Sequence, residues 1–446
     1  MNMSSWFIKF FGVSSFVLIF QWSTTNANVL EYLRKPQPKA SWKVIESSDS
    51  DHITTYRLEL VSQTWQKIDW KHSVMVYYPK ELKHQKGMFL WITGGNPSLA
   101  THMLATSIVK QIKAPIAFLY DIPNQPLLGG KNEDSLIAET FVRYLDTGDP
   151  SWPLLFPMVR SVVYTMDVLQ QFSKEKWGEE IQEFVLSGAS KRGWTTWLSA
   201  ASEDKRILGI APLVIDTLNM RKQLPHQIQS YGKPSAQIKD YVKRKLVPID
   251  SSSRAQELWE MVDPWTYRHK IKQPKLIING TNDPYWTQDS LNLYWDDLSG
   301  DKWILYVPNA GHGLEQKYDD HHKDRQRVLN TLCVYCRHLI TKKPMPKIHW
   351  QHKEQQTQDG KEFCVELQCE PKPKRVRLWS ADSSTRDFRD SKWNESPATI
   401  ENGVAIGKVK TPENGFRVFL LEGEYEFEGI PYFLSSQLRI IDSKKN

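Results

Sequence analysis

From Ser73 onward, short uninterrupted apolar runs alternate with longer stretches whose apolar positions recur at helical spacing. Val74–Tyr78, Met88–Ile92, Ile116–Tyr120, Phe184–Leu186, Leu208–Ile215, Leu276–Ile278 and Trp303–Val307 read as buried strands. Phe156, Val159, Val162, Val163, Met166, Leu169 and Phe172 mark the apolar face of one helix, and Gln326–Leu339 reads as another. Strands alternating with helices predict an α/β fold, a mostly parallel sheet covered by helices on both faces. In such sheets functional residues collect in the loops that follow the C-terminal ends of the strands.

Two stretches interrupt this rhythm. Between Leu218 and Lys272, helical runs at Gln237–Lys245 and Arg254–Met261 form an insertion between two core strands, placed to lie over the strand ends as a cap. After Pro344-Met345-Pro346 the pattern becomes all-β. Lys347–His352, Glu362–Leu367, Val376–Ser380, Gly403–Lys408, Arg417–Leu421, Tyr425–Phe427 and Gln437–Ile441 are short strands between Pro, Gly and Asp turns, as in an immunoglobulin-like β-sandwich. The division predicted is a main domain over residues 28–343, with its cap insertion at about 218–272, and a C-terminal module over 344–446. The strand-like region Glu31–Trp70 is expected to add antiparallel edge strands to the main sheet.

Composition narrows the class. A chain of 446 residues exceeds one compact core, and 40% hydrophobic with 12% aromatic residues is a globular balance. The net charge of +7 is mild over this length, and Lys372–Arg377 reads as a solvated strand edge, so no nucleic-acid partner is expected. Lys9, the apolar run Phe10–Phe20 and the small residues around Thr25-Asn26-Ala27 resemble a secretory signal over residues 1–27, cut before Asn28. That run is too short to span a bilayer, so a secreted or periplasmic protein without stable membrane insertion is expected. The partners expected are a small-molecule or peptide substrate and a cell-surface partner. An even cysteine count in an exported chain favours disulfides over a four-thiolate zinc site. Cys333 or Cys336 on the predicted helix is expected to pair with Cys364 or Cys369, stapling the C-terminal module to the main domain. No metal and no cofactor are expected.

The chemistry centres on Gly188-Ala189-Ser190-Lys191-Arg192-Gly193-Trp194, which follows the strand Phe184-Val185-Leu186 and leads into a helix. A strand, a sharp turn with serine at its tip and a helix make a nucleophile elbow, with Ser190 as the covalent nucleophile. The usual G-x-S-x-G pattern is displaced: Arg192 stands two after the serine, and Gly193 one later. A nucleophilic serine needs a base and an acid to orient it, in the chain order serine, acid, histidine. Asp283 follows strand Leu276–Ile278 in Asn279-Gly280-Thr281-Asn282-Asp283, and His312 follows strand Trp303–Val307 in Asn309-Ala310-Gly311-His312-Gly313. Alone, the first is an ordinary Asn/Asp turn and the second a surface histidine. Together, in the required order and each directly after a strand, they predict the triad Ser190, Asp283, His312, with Asp216 and Asp263 as reserve acids. The oxyanion donors expected are the backbone N–H of Lys191 and that of Gly95 or Asn96, in the loop after Met88–Ile92 where Gly94-Gly95 lets a substrate approach. Arg192 and Trp286 are the candidate substrate-binding residues, Arg192 through a carboxylate; the reading preferred for Arg192 is to support the elbow by pairing with a buried acid such as Asp216.

The string Gly188–Trp197, with Ile278–Asp283 and Asn309–His312, resembles the PhoPQ-activated pathogenicity-related family, which includes the autocrine proliferation repressors of social amoebae. The resemblance runs from about Glu31 into the C-terminal module. It implies an α/β-hydrolase fold and makes the displaced glycine an expected variant. The elbow is also similar to that of some carbohydrate esterases. The family is tied to virulence regulation and secreted growth-inhibitory signalling. Two functions follow: a secreted serine hydrolase forming an acyl-enzyme on an ester or amide, or a secreted signalling protein that uses a hydrolase scaffold without essential catalysis.

Overall fold

The computed structural model describes residues 28–37, 41–82, 86–319, 321–358 and 360–444; the expected signal segment lies outside them. The chain enters through a short helix, α1 (Val29–Arg34), where the sequence suggested strand. Asn28 caps it by accepting the Glu31 N–H at 3.0 Å, and Val29 and Tyr32 bury the same side, so local capping overrides the strand-like composition.

Nine strands form the main sheet. β1 (Ser41–Asp49), β2 (Ile53–Trp65) and β3 (Ile68–Pro79) run antiparallel, as expected for the edge. β4 (Gly87–Ile92), β5 (Ile116–Leu119), β6 (Glu183–Ala189), β7 (Ile207–Leu213), β8 (Lys275–Gly280) and β9 (Lys302–Val307) are parallel, in the order β1-β2-β3-β5-β4-β6-β7-β8-β9. Strands buried on both faces carry no alternation, which is why these segments stand out as continuous apolar runs. Neighbouring residues serve opposite layers. Leu186 joins the core under α4 (Leu155–Trp177) and α5 (Lys191–Ala200), while Val185 joins the one under α2 (Leu99–Ile112) and α9 (Gln326–Ile340). α3 (Glu133–Thr147) precedes α4, and α6 (Met220–Tyr231), α7 (Lys239–Lys243) and α8 (Ser253–Val262) make up the insertion between β7 and β8.

After a small hairpin, β10 (Gln316–Lys317) with β11 (Lys323–Asp324), and helix α9, the chain becomes antiparallel. β12 (Lys347–Thr357), β13 (Gly360–Glu370), β16 (Thr399–Glu401) and β17 (Val404–Lys410) form one sheet. β14 (Arg375–Ser383), β15 (Asn394–Pro397), β18 (Phe416–Phe427), β19 (Ile430–Ser435) and β20 (Arg439–Asp442) form the other. Val365 and Leu367 of the first share a core with Leu378, Phe419 and Leu421 of the second. The expected strands Arg417–Leu421 and Tyr425–Phe427 are one continuous strand, because Glu422 between them is fully buried rather than a turn residue.

Glu422 meets the main domain. Arg327 of α9 donates to both its carboxylate oxygens at 2.7 Å, Trp379 Nε1 donates to it at 3.3 Å, and the guanidinium lies 3.9 Å from the Phe433 ring centroid. The seam is held this way and not by the expected staple. Cys333, Cys336, Cys364 and Cys369 are all free thiols. Cys333 and Cys336 lie wholly buried in the core between α9 and the sheet, where burial pushes both thiols up, while Cys364 and Cys369 belong to strand β13.

Candidate active site

Ser190 is the residue between β6 and α5, with φ 57° and ψ −123°, a conformation that L-residues rarely adopt. Two glycines make this turn sterically feasible. A Cβ at Gly188 would fall 2.8 Å from the Arg192 backbone, and one at Gly193 would fall 2.7 Å from Ile215 Cγ2 and 3.0 Å from the Gly188 and Leu213 carbonyl oxygens. The Ser190 amide donates to Leu213 O at 2.9 Å, fixing the turn against β7. Here the close approach falls three residues after the serine, so the glycine does too.

The freed position is occupied by a tie. Arg192 Nε donates to Ile122 O at 2.5 Å, and its two Nη groups donate to Glu133 at 2.8 and 2.7 Å. Its guanidinium lies where a Cβ on Gly94 would stand, 2.0 Å from Nη2. Elbow, glycine loop and the start of α3 are thereby joined. Burial alone would push the Glu133 carboxyl up; the hydrogen bonds and charge of Arg192, with Gln125 and Lys191, outweigh it and hold the group at about 2. Arg192 does not line the cavity described below; it takes the supporting role, with Glu133 and not Asp216 as its partner. Glu133 lies far upstream of the elbow, and nothing in its local sequence marks it.

Asp283 and His312 come together from the loops after β8 and β9. His312 Nδ1 lies 2.8 Å from Asp283 Oδ2; a carboxylate only accepts, so Nδ1 is the donor, and in the neutral ring Nε2 then keeps its lone pair. Asp283 Oδ1 accepts the Tyr285 N–H at 2.9 Å, and the Tyr285 ring stacks on His312 with centroids 4.2 Å apart. Ser190 and His312 line the same cavity, with no hydrogen bond between them among the described residues. Such contacts commonly close only around a substrate.

That cavity is partly open to solvent. Ser190, Tyr285, Trp286 and His312 form its floor, and Met220, Leu224, Ile238, Tyr241, Val247 and Trp259 of the insertion complete its walls. Trp286 thus stands at the cavity. Lys191 lines it too, its Nζ paired with Asp134 at 3.0 Å and Glu133 at 3.3 Å, and Tyr241 Oη donates to Asp134 at 3.1 Å. The Lys191 amide, at the positive end of α5, has no acceptor among the described residues; the same holds for the amides of Gly95 and Asn96, which are exposed and outside the cavity lining. The reserve acids lie elsewhere. Asp216 accepts from Tyr294 and Asn279, Asp263 caps the backbone at Asn219, Met220 and Trp265, and burial pushes both carboxyls up to about 7.

A mostly parallel sheet of this order, with a strained serine between strand and helix and an acid–histidine pair from the last two strand ends, defines an α/β-hydrolase fold. Residues 29–389 match the model of the PhoPQ-activated pathogenicity-related protein family, and the chain belongs to that family. It is 31% identical over 434 residues to autocrine proliferation repressor protein A of Dictyostelium discoideum, covering 89% of this chain and 85% of that protein. Among solved structures, acetyl xylan esterase 1 from Thermoanaerobacterium sp. matches at 16% identity and a TM-score of 0.46, over 64% of this chain and 86% of that one. An S-formylglutathione hydrolase from Agrobacterium tumefaciens matches at 12% identity and a TM-score of 0.44, over 68% and 100%.

Proposed function

We propose that the protein is an exported serine hydrolase that cleaves an ester or amide through an acyl-enzyme. The observation that carries this is one cavity holding both a serine in a strained elbow and a histidine whose Nδ1 is fixed on a buried aspartate. In this reading Ser190 Oγ attacks the carbonyl carbon while His312 Nε2 takes its proton and Asp283 stabilises the imidazolium. The oxyanion forms at the N-terminus of α5, against the Lys191 N–H. Collapse expels the alcohol or amine, protonated by His312, and leaves Ser190 acylated; water then repeats the sequence and releases the acid. Because the Lys191 ammonium is matched by two carboxylates and the rest of the wall is mostly apolar, the bound part of the substrate is uncharged and largely apolar.

The test is labelling of the purified protein with a fluorophosphonate. Wild type is expected to react covalently at Ser190, Ser190→Ala not at all, and His312→Ala slower by roughly three orders of magnitude. An unreactive wild-type protein would remove the hydrolase reading. The repressor named among the relatives favours one second reading, a secreted growth-inhibitory signal for which the fold is a scaffold. Growth repression by the protein that survives Ser190→Ala would support that reading.

A further inference from the structure

We propose that residues Phe388–Trp393 of the C-terminal module belong to the hydrolytic site, as a clamp that sets the acid and the base against each other. The proposal rests on the assignment of Ser190, Asp283 and His312 above. Asn282, one residue before the acid, donates through Nδ2 toward three carbonyls of this segment: Ser391 at 2.7 Å, Arg389 at 3.1 Å and Phe388 at 3.3 Å. Asn309, three residues before the base, is bound twice to Trp393: its Nδ2 donates to the carbonyl at 2.9 Å, and its Oδ1 accepts the amide at 2.8 Å.

The two asparagines are also linked to each other. Thr281 Oγ1 donates to Asn282 Oδ1 at 2.8 Å and accepts the Asn309 N–H at 2.9 Å, while the Asn282 amide donates to Ala310 O at 2.9 Å. The loops touch so closely that a Cβ on Gly280 would fall 2.3 Å from Ala310 O. The segment itself is held rigidly, since the Phe388 and Trp393 side chains are 0% and 1% exposed.

These bonds fall on the two catalytic loops and not on the strands that carry them. A loop after a strand end has little rigidity of its own, and the Asp283–His312 bond depends on the relative placement of two such loops. Amide side chains bound to backbone of a packed module fix that placement without touching substrate. Asn282 and Asn309 are therefore positioning residues, and the module completes the site.

The test uses the full-length protein with Asn282→Ala, Asn309→Gly and both together. Glycine is chosen at 309 because that residue has φ 55°, which glycine keeps without strain. We expect each variant to lower kcat and the fluorophosphonate labelling rate at Ser190 about tenfold or more, with KM little changed, since misplacing reacting groups by an ångström costs up to a hundredfold. A merely structural role would lower the melting temperature and leave kcat and labelling rate intact. If the double variant does not fold, Asn309→Gly alone decides. A folded variant that labels and turns over at the wild-type rate overturns the clamp and leaves the hydrolase assignment standing. A wild type that neither labels nor hydrolyses overturns both.

Discussion

At the scale of single residues, the elbow shows how a motif departs from its common form without losing its geometry. Ser190 needs a positive φ, and such a turn forms only where the flanking backbone can close in. Gly188 and Gly193 supply that closeness, while Arg192 uses the remaining position to hold Glu133 and the loop at Gly94. Gly193→Ala places a methyl group against two carbonyl oxygens and the Ile215 side chain. We expect it to cost about 1–3 kcal/mol of stability, read from the urea midpoint. A glycine in the first turn of the helix that follows the serine was legible in the sequence. The purpose of Arg192 was not, because its partner arrives from a distant helix.

At the scale of elements, all seven strands expected between Val74 and Val307 are present, the six parallel ones because a strand buried on both faces is apolar throughout. Ser190, Asp283 and His312 each follow the end of one of these strands, as the sequence places them. The start of α3 carries a pH dependence. The Glu133 carboxyl sits at about 2 in the folded chain against 4.5 for an ordinary glutamate. A group held down in the folded state stabilises it fully above the unfolded value, and that contribution is lost as the pH falls from about 4.5 toward 2. The side chain is 41% exposed, so solvent moderates the effect. Arg192→Leu is expected to remove this part of the acid sensitivity and to lower the labelling rate at Ser190 by loosening the elbow. Urea unfolding of wild type and variant at pH 3 and pH 6 measures the first, and fluorophosphonate kinetics the second; equal pH dependence in both proteins would contradict the assignment of the tie.

At the scale of the whole molecule, helix α9 and the sheet of β14 and β18 share a buried ion pair. Glu422 is fully buried, with Arg327 paired to both of its oxygens. Arg327→Leu removes the nearer cation, leaving Arg377 at 3.8 Å, and is expected to cost about 3 kcal/mol, while Arg327→Leu combined with Glu422→Leu recovers most of the loss. Thermal unfolding of the single and double variants checks this; equal destabilisation by both would show that packing, not charge, holds the seam.

Apolar runs and periodicity by themselves determined the mostly parallel sheet and the antiparallel strands that follow it, and strand-end motifs picked out the three residues proposed as a triad. Each of these depends on a local pattern that repeats a physical requirement. Which acid serves Arg192, how the cysteines stand, and that the C-terminal module grips the loops of Asp283 and His312 were decided only by the tertiary structure. Those contacts join segments far apart in the chain, and a partner chosen by packing leaves no mark on its own neighbours in sequence.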